Sequence, residues 1–241
     1  MPGPGAGHGG KHTRRFMTIL EGAKASVQRV SGWRRPSADQ LAALLRSRRV
    51  ATCRFGDDGF VPNNPTWPVA VYRSAVKLPR SLDPAAVWEA LFESNGWGDA
   101  WRDGIYDYLH YHSRVHEVLG IARGSATVRL EGNKGRIVKL KAGDAVVLPA
   151  GTGHQCLSAS KTFMAVGAYP PNGSYDECGP TVEEHDRNVN AVRRVGRPRK
   201  DPIFGSGGPL LKVWKQKSGF RRERRSSAPG SPPFLLLQAE W

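Results

Sequence analysis

Residues 104–120, GIYDYLHYHSRVHEVLG, set His110, His112, His116 and Glu117 among residues that otherwise suit the interior of a β-protein. In an extended strand alternate side chains share a face. Tyr106, Tyr108, His110 and His112 are therefore expected on one side, where two imidazoles at i and i+2 can reach one cation. A turn through Ser113 and Arg114 would begin a second strand, HEVLGIARG. Its Glu117 can swing back beside the imidazole pair, or else salt-bridge Arg123. His116 adjoins Glu117 and is expected on the opposite face, as a packing or supporting residue or as a rival ligand.

A further group comes from AGDAVVLPAGTGHQC, where an apolar strand runs into a Pro/Gly turn and His154 emerges at the head of the next strand. Three imidazoles and a carboxylate would be costly to bury unpaired, which favours a shared cation. Tyr106 and Tyr108 share the histidines' expected face, so they either line the mouth of a cavity or pack inside a barrel. Cys156, two residues past His154 and on its face, is a small core residue or a thiol at the pocket.

The surrounding chain supports a β-rich reading. Between Tyr106 and Tyr169, short runs of Val, Leu, Ile and aromatic residues are cut by EGNKG, KAGD and PAGTG, the texture of an all-β sandwich or barrel. Two helices are expected before it. SADQLAALLRSRR carries a capping box in Ser37 and Gln40, with Leu41, Leu44 and Leu45 on one side. DPAAVWEALFESNGWG has Asp83 at its N-cap, Pro84 in its first turn and Gly96 beyond its end.

The net charge of +15 over 241 residues invites a nucleic-acid partner, but its distribution argues against one. Residues 1–50 hold ten basic against two acidic side chains, and residues 191–241 hold twelve against three. The stretch from 51 to 189 holds fourteen against sixteen, so the basicity belongs to the ends. No run approaches the roughly 18 apolar residues that cross a bilayer, and no apolar secretory leader is present. Cys53, Cys156 and Cys178 are odd in number and far apart, which suits a reducing cytoplasm rather than a disulfide framework. The Gly/Pro-rich residues 1–16 are expected to be disordered.

The spacing of the candidate ligands resembles the two motifs of the cupins. Gly104, His110, His112, Glu117 and Gly124 follow the first motif; Gly143, Pro149, Gly151 and His154 follow the second, with Ser158 where many cupins carry a non-ligating Asn. More narrowly, DDGFVPNNP, NGW, GIYDYLHYHS, HEVLGIARGSA, PAGTGH, VGAYPP and DPIFG resemble the YjlB-like cupins, a bacterial family, over roughly residues 55–214. The resemblance implies a double-stranded β-helix, a cupin jelly-roll barrel, with a few flanking N-terminal helices. The barrel would occupy residues 51–190, between a basic N-terminal extension (1–50) with one short helix and a basic C-terminal strap and mobile tail (191–241).

His110, His112, Glu117 and His154 are the implied ligands of a divalent transition metal: Fe, Mn, Ni or Zn. Such a site leaves positions open on an octahedral ion. That suits a metal-dependent enzyme acting on a small oxygenated molecule, by dioxygenase-type oxidation first or isomerisation second. A cupin that binds a small molecule or the metal without catalysis is the alternative. A homodimer is implied too, with the N-terminal segment able to supply an exchanged strand.

Overall fold

Continuous apolar strands are expected where a sheet is covered on both faces, and strict alternation where one face is wet. Both textures occur in this chain. The computed structural model describes residues 36–46, 49–132 and 135–215. Its strands are β1 (Val50–Cys53), β2 (Val69–Tyr72), β3 (Gly98–Asp103), β4 (Glu117–Arg123), β5 (Ser125–Leu130), β6 (Arg136–Lys141), β7 (Ala145–Leu148), β8 (His154–Ala159) and β9 (Met164–Tyr169). They form a six-stranded sheet in the order β1-β2-β7-β4-β9-β3 and a three-stranded sheet in the order β6-β5-β8, with every pairing antiparallel.

The two sheets enclose one core. Val69 and Val71 of β2, Leu119 and Ile121 of β4, and Val146 and Leu148 of β7 meet Val128 and Leu130 of β5 and Val138 and Leu140 of β6. On β5 and β6 the intervening residues turn to solvent, so these strands alternate. On β2, β4 and β7 the intervening residues, Ala70, Tyr72, Val118, Ala145 and Val147, enter a second core outside the sheet.

The helices are α1 (Ala38–Leu44), α2 (Pro84–Ser94), α3 (Val182–Arg194) and α4 (Pro209–Val213); α1, α2 and α4 cover that outer face, while α3 sets Val192 against Gly151 and Asn188 against Cys178. α1 has the expected reciprocal cap between Ser37 and Gln40, and buries Leu41 and Leu44. α2 starts at the Asp83 cap with Pro84 in its first turn, and lays Trp88 and Phe92 on the sheet. Trp214, just past α4, is fully buried, stacks on Trp67 and donates its indole N–H to the Pro68 carbonyl. The fold is thus the expected jelly roll of antiparallel sheets with few helices.

The flanks differ from the expectation. α3 crosses the expected 190/191 boundary, and in the stretch expected as a strap Ile203, Leu210 and Trp214 join the core outside the sheet. Basic residues dominate that stretch, but Ile203, Leu210 and Trp214 anchor it, and burying side chains of that size contributes roughly 1.5–3 kcal/mol each. The expected disorder of residues 1–16, the N-terminal exchanged strand and the mobility of the tail beyond residue 215 fall outside the described residues.

Candidate metal centre

The stretch 104–116 is an extended loop with two isolated bridges rather than the expected strand. His110 bridges His154, with N–H···O distances of 3.3 and 2.9 Å in the two directions, so main-chain register alone sets the two imidazoles opposite each other. Tyr111 bridges Cys178 on the other side and is fully buried. The expected alternation therefore survives locally, with His110 and His112 inward and Tyr111 outward. The bend at Ser113 is pinned by Asp176, whose carboxylate accepts the backbone N–H groups of Ser113 (2.9 Å) and Arg114 (3.2 Å) and the Ser113 hydroxyl. Gly151, at φ +85°, makes the turn that delivers His154; the N–H of Gly151 also donates to the His112 carbonyl at 2.7 Å.

One ring nitrogen from each of His110, His112 and His154 lies within 4.8 Å of the other two, and all three residues are buried. In each ring Nδ1 donates to a backbone carbonyl: His110 to Tyr108 (3.2 Å), His112 to Asp176 and His154 to Thr152 (3.1 Å). A carbonyl can only accept, so each Nδ1 carries a proton, and in a neutral ring Nε2 is left as a bare lone pair. Glu117 opens β4 and brings Oε2 to 3.6 Å from His112 Nε2 and 3.4 Å from His154 Nε2. That oxygen is buried and has no hydrogen-bond donor among the described residues.

The protonation states follow from burial and mutual charge. Burial works to raise the Glu117 pKa, but His112, then His154 and His110, hold it below the usual carboxylate range. Burial, with help from His110, pushes His154 down to about 3, and burial likewise lowers His110. Burial also acts downward on His112, yet Glu117 and the Asp176 carbonyl carry it upward. An ionised carboxylate therefore faces imidazoles of which two are held neutral. Bare Nε2 lone pairs and an orphaned carboxylate oxygen are the donor set a divalent transition metal requires, so these four residues fit one.

The cluster forms the floor of a cavity of about 420 Å³. Its walls include Trp101 and Asp103 of β3, Leu119 of β4, Tyr169 of β9, and the loop residues Tyr106 and Tyr175. Trp101 lies flat over Gly167, where an added Cβ would come within 2.0 Å of the indole. Its Nε1 donates to the Tyr169 hydroxyl at 2.9 Å, and that hydroxyl has its own proton to offer the Glu117 carboxylate it faces.

The cupin family model matches residues 103–178, which hold all four of these residues. An uncharacterized protein, YjlB of Bacillus subtilis (strain 168), is 38% identical over 167 residues, covering 69% of this chain and 98% of that one. The chain belongs to the YjlB-like cupins. Solved structures that overlap it in part include acireductone dioxygenase from Bacillus anthracis, with a cadmium ion in its active centre. It is 17% identical with a TM-score of 0.30, over 52% of this chain and 80% of that one. The WlaRB TDP-quinovose 3,4-ketoisomerase from Campylobacter jejuni is also 17% identical with a TM-score of 0.30, over 37% and 74%.

In this cupin the remaining candidates take distinct positions. His116 is fully buried on the far side of the sheet from the cavity, its ring edge-on to Trp214. Its Nδ1 accepts from the Ala150 N–H (2.9 Å) and its Nε2 donates to the Gly196 carbonyl (3.1 Å), so neither nitrogen is left for a metal. Burial pushes its pKa down to about 4. Cys156 sits in the core between the sheets and is absent from the cavity wall, which makes it the small core residue of the two alternatives. Tyr106 lines the cavity; Tyr108 stacks on it with ring centroids 4.9 Å apart but stands outside the wall, hydrogen-bonded to Glu177. Arg123 pairs with Asp83, leaving Glu117 to the imidazoles.

Asp176, Tyr169 and Tyr175 did not emerge from the sequence. Tyr169 lies within VGAYPP and Asp176 two residues past the NGS at 172–174, but no spacing rule ties either to His112, 57 or more residues earlier. Only the β9 pairing and the Tyr111–Cys178 bridge bring them alongside.

Proposed function

We propose that this cupin binds one divalent transition metal through His110, His112, His154 and Glu117, and uses it on a small oxygenated molecule. Oxidation of the dioxygenase type is the first reaction to seek and isomerisation the second. One observation carries the reading: three Nδ1–H groups are spent on backbone carbonyls while one further ring nitrogen from each imidazole and the orphaned Glu117 oxygen converge.

A divalent ion held there would supply Lewis acidity or a redox centre beside a small-molecule cavity. The protein's own contribution lies around it. The carbonyls of Tyr108, Thr152 and Asp176 fix the ring orientations, and a negative carboxylate balances part of the cation's charge. Ile105 and Leu119 supply apolar wall, which strengthens electrostatic interactions at the floor. Tyr169 hydrogen-bonds within the wall and can steady Glu117 or a ligand oxygen.

The test is anaerobic purification with elemental analysis, followed by oxygen-uptake and isomerisation screens over small diols and carbonyl compounds. About one equivalent of Fe, Mn, Ni or Zn is expected, together with turnover that stops on chelation and returns with the metal. Activity that survives complete metal removal would refute the proposal. Metal and ligand binding with no turnover in either screen would favour the non-catalytic cupin.

A further inference from the structure

Apart from its floor, the cavity has an unusual chemical bias at its mouth. Tyr106, Tyr108 and Tyr175 are 44%, 45% and 52% exposed, and they are three of only a few large apolar side chains left that open among the described residues. Exposed aromatic rings gathered at one concave mouth mark a ligand surface rather than random solvent exposure. Tyr108 and Tyr175 donate their hydroxyls to the two oxygens of Glu177, at 2.8 and 3.0 Å, which fixes a carboxylate behind the wall residue Tyr175. Asp99 and Asp103 add two more carboxylates along the β3 wall.

The positive side of the balance is already committed. Arg102 is the one Lys or Arg among the described residues lining the cavity. Its Nε and Nη2 grip both oxygens of Glu89 at 2.8 and 2.7 Å, and its Nη1 holds Asp83 at 2.7 Å. A bidentate carboxylate pair of this kind uses the geometry that would otherwise recognise a ligand's carboxylate or phosphate. The mouth therefore offers aromatic faces and negative charge, a combination that favours neutral rings and cations and repels anions.

We propose, resting on the metal reading above, that the cavity takes a small ring-bearing molecule with oxygen donors toward the His–Glu cluster and a neutral or cationic end toward the mouth. It discriminates against the same molecule carrying an anionic group there. Selection comes from Tyr106, Tyr175 and Glu177 together with the neutralised Arg102, and is separate from the affinity of the metal for oxygen ligands.

Three matched chelators separate the two effects: 4-methylcatechol, dopamine and 3,4-dihydroxyphenylacetate share one diol and differ in the charge at the far end. Calorimetric titration of each into the zinc-loaded full chain at neutral pH should show dopamine binding at least as tightly as 4-methylcatechol. The acid should bind about tenfold more weakly or worse. Glu177→Gln should shrink the dopamine-to-acid gap at least about threefold. An acid that binds as tightly as 4-methylcatechol, or a gap unchanged in Glu177→Gln, overturns the proposal. Stoichiometric zinc with no binding of any of the three also overturns it while leaving the metal reading intact. If the chain takes up no zinc, the metal reading fails, and charge selection is then decided by the same ranking from Trp fluorescence on metal-free protein, where absent binding or a reversed order counts against it.

Discussion

His116 and Glu117 are neighbours in the chain, yet they belong to two buried polar clusters of opposite character. On the outer side of the sheet His116 uses both ring nitrogens, and Asp201 accepts from Tyr72 Oη (2.8 Å) and from the backbone N–H groups of Ile203, Phe204 and Leu210. On the inner side Glu117 and the three imidazoles are as deeply buried, but Glu117 Oε2 finds no hydrogen-bond partner among the described residues. Burial is common to both clusters. What separates structural from functional polarity is whether the hydrogen bonds close within the protein.

If that distinction is right, the outer cluster governs stability and the inner one governs ligand binding. The largest effect is expected from Asp201→Ala, which strands the buried donors of Tyr72, Ile203 and Leu210 and should cost about 3–5 kcal/mol in a denaturant melt. Metal uptake per folded molecule should be unchanged. Trp214→Ala should follow at about 3 kcal/mol or more, again without effect on the metal.

The reverse pattern is expected inside the cavity. His154→Ala or Glu117→Ala should weaken zinc binding by at least about 100-fold, equivalent to about 2.7 kcal/mol, while the metal-free melt moves by less than the outer variants move it. Loss of folding in either variant, with Asp201→Ala harmless, would invert the comparison. Asp176→Ala stands between the two clusters, because it loosens the bend that presents His112. Zinc affinity should fall about tenfold by competition titration against a chromophoric chelator, with the far-UV spectrum unchanged.

The smallest effect belongs to the surface, where His185 of α3 meets Asp57 at 2.8 Å and Asp186 at 2.9 Å. Hydrogen bonds to Asp186 and Asp57 raise the His185 pKa above its ordinary 6.5. Burial acts upward on Asp57, but the Gly59 N–H and His185 outweigh it and bring its pKa below 3.8. The His185 contribution is therefore complete below about pH 6.5 and fades as pH rises through its elevated folded value. That of Asp57 is present above its ordinary value and fades as pH falls through its depressed one. Thermal melts of wild type and His185→Gln should differ by less than about 1 kcal/mol in mildly acidic buffer and converge toward pH 9.

Much of the site was legible because its residues lie at the short spacings that strand alternation and a tight turn impose. His110 and His112 share a face at i and i+2, Glu117 follows a single bend, and His154 follows a Pro/Gly turn; each spacing survives translation into structure even though 104–116 forms a loop. Helix α1 was legible from Ser37 and Gln40, and α2 from Asp83 and Pro84. Helix α3 was missed although Thr181 and Glu184 carry a cap signal, with two acidic residues in its first turn and two basic ones in its last. Its buried face is only Asn188 and Val192, too sparse for hydrophobic periodicity to reveal.

The apolar runs VAVY and AVVL form strands buried on both sides, and nothing in the runs says by what. Part of their cover comes from Ile203, Leu210 and Trp214, more than 50 residues beyond either run, inside the stretch expected as a basic strap and tail.

Local pattern thus carried the barrel, the ligand candidates and the helix caps, because those depend on residues a few positions apart. The clamping of His112 by Asp176, the neutralisation of Arg102, the tyrosine-lined mouth and the sealing of the outer core by the C-terminal segment all needed the folded chain. Each is a contact between residues far apart in sequence, and long-range packing leaves no period or spacing for a linear reading to detect.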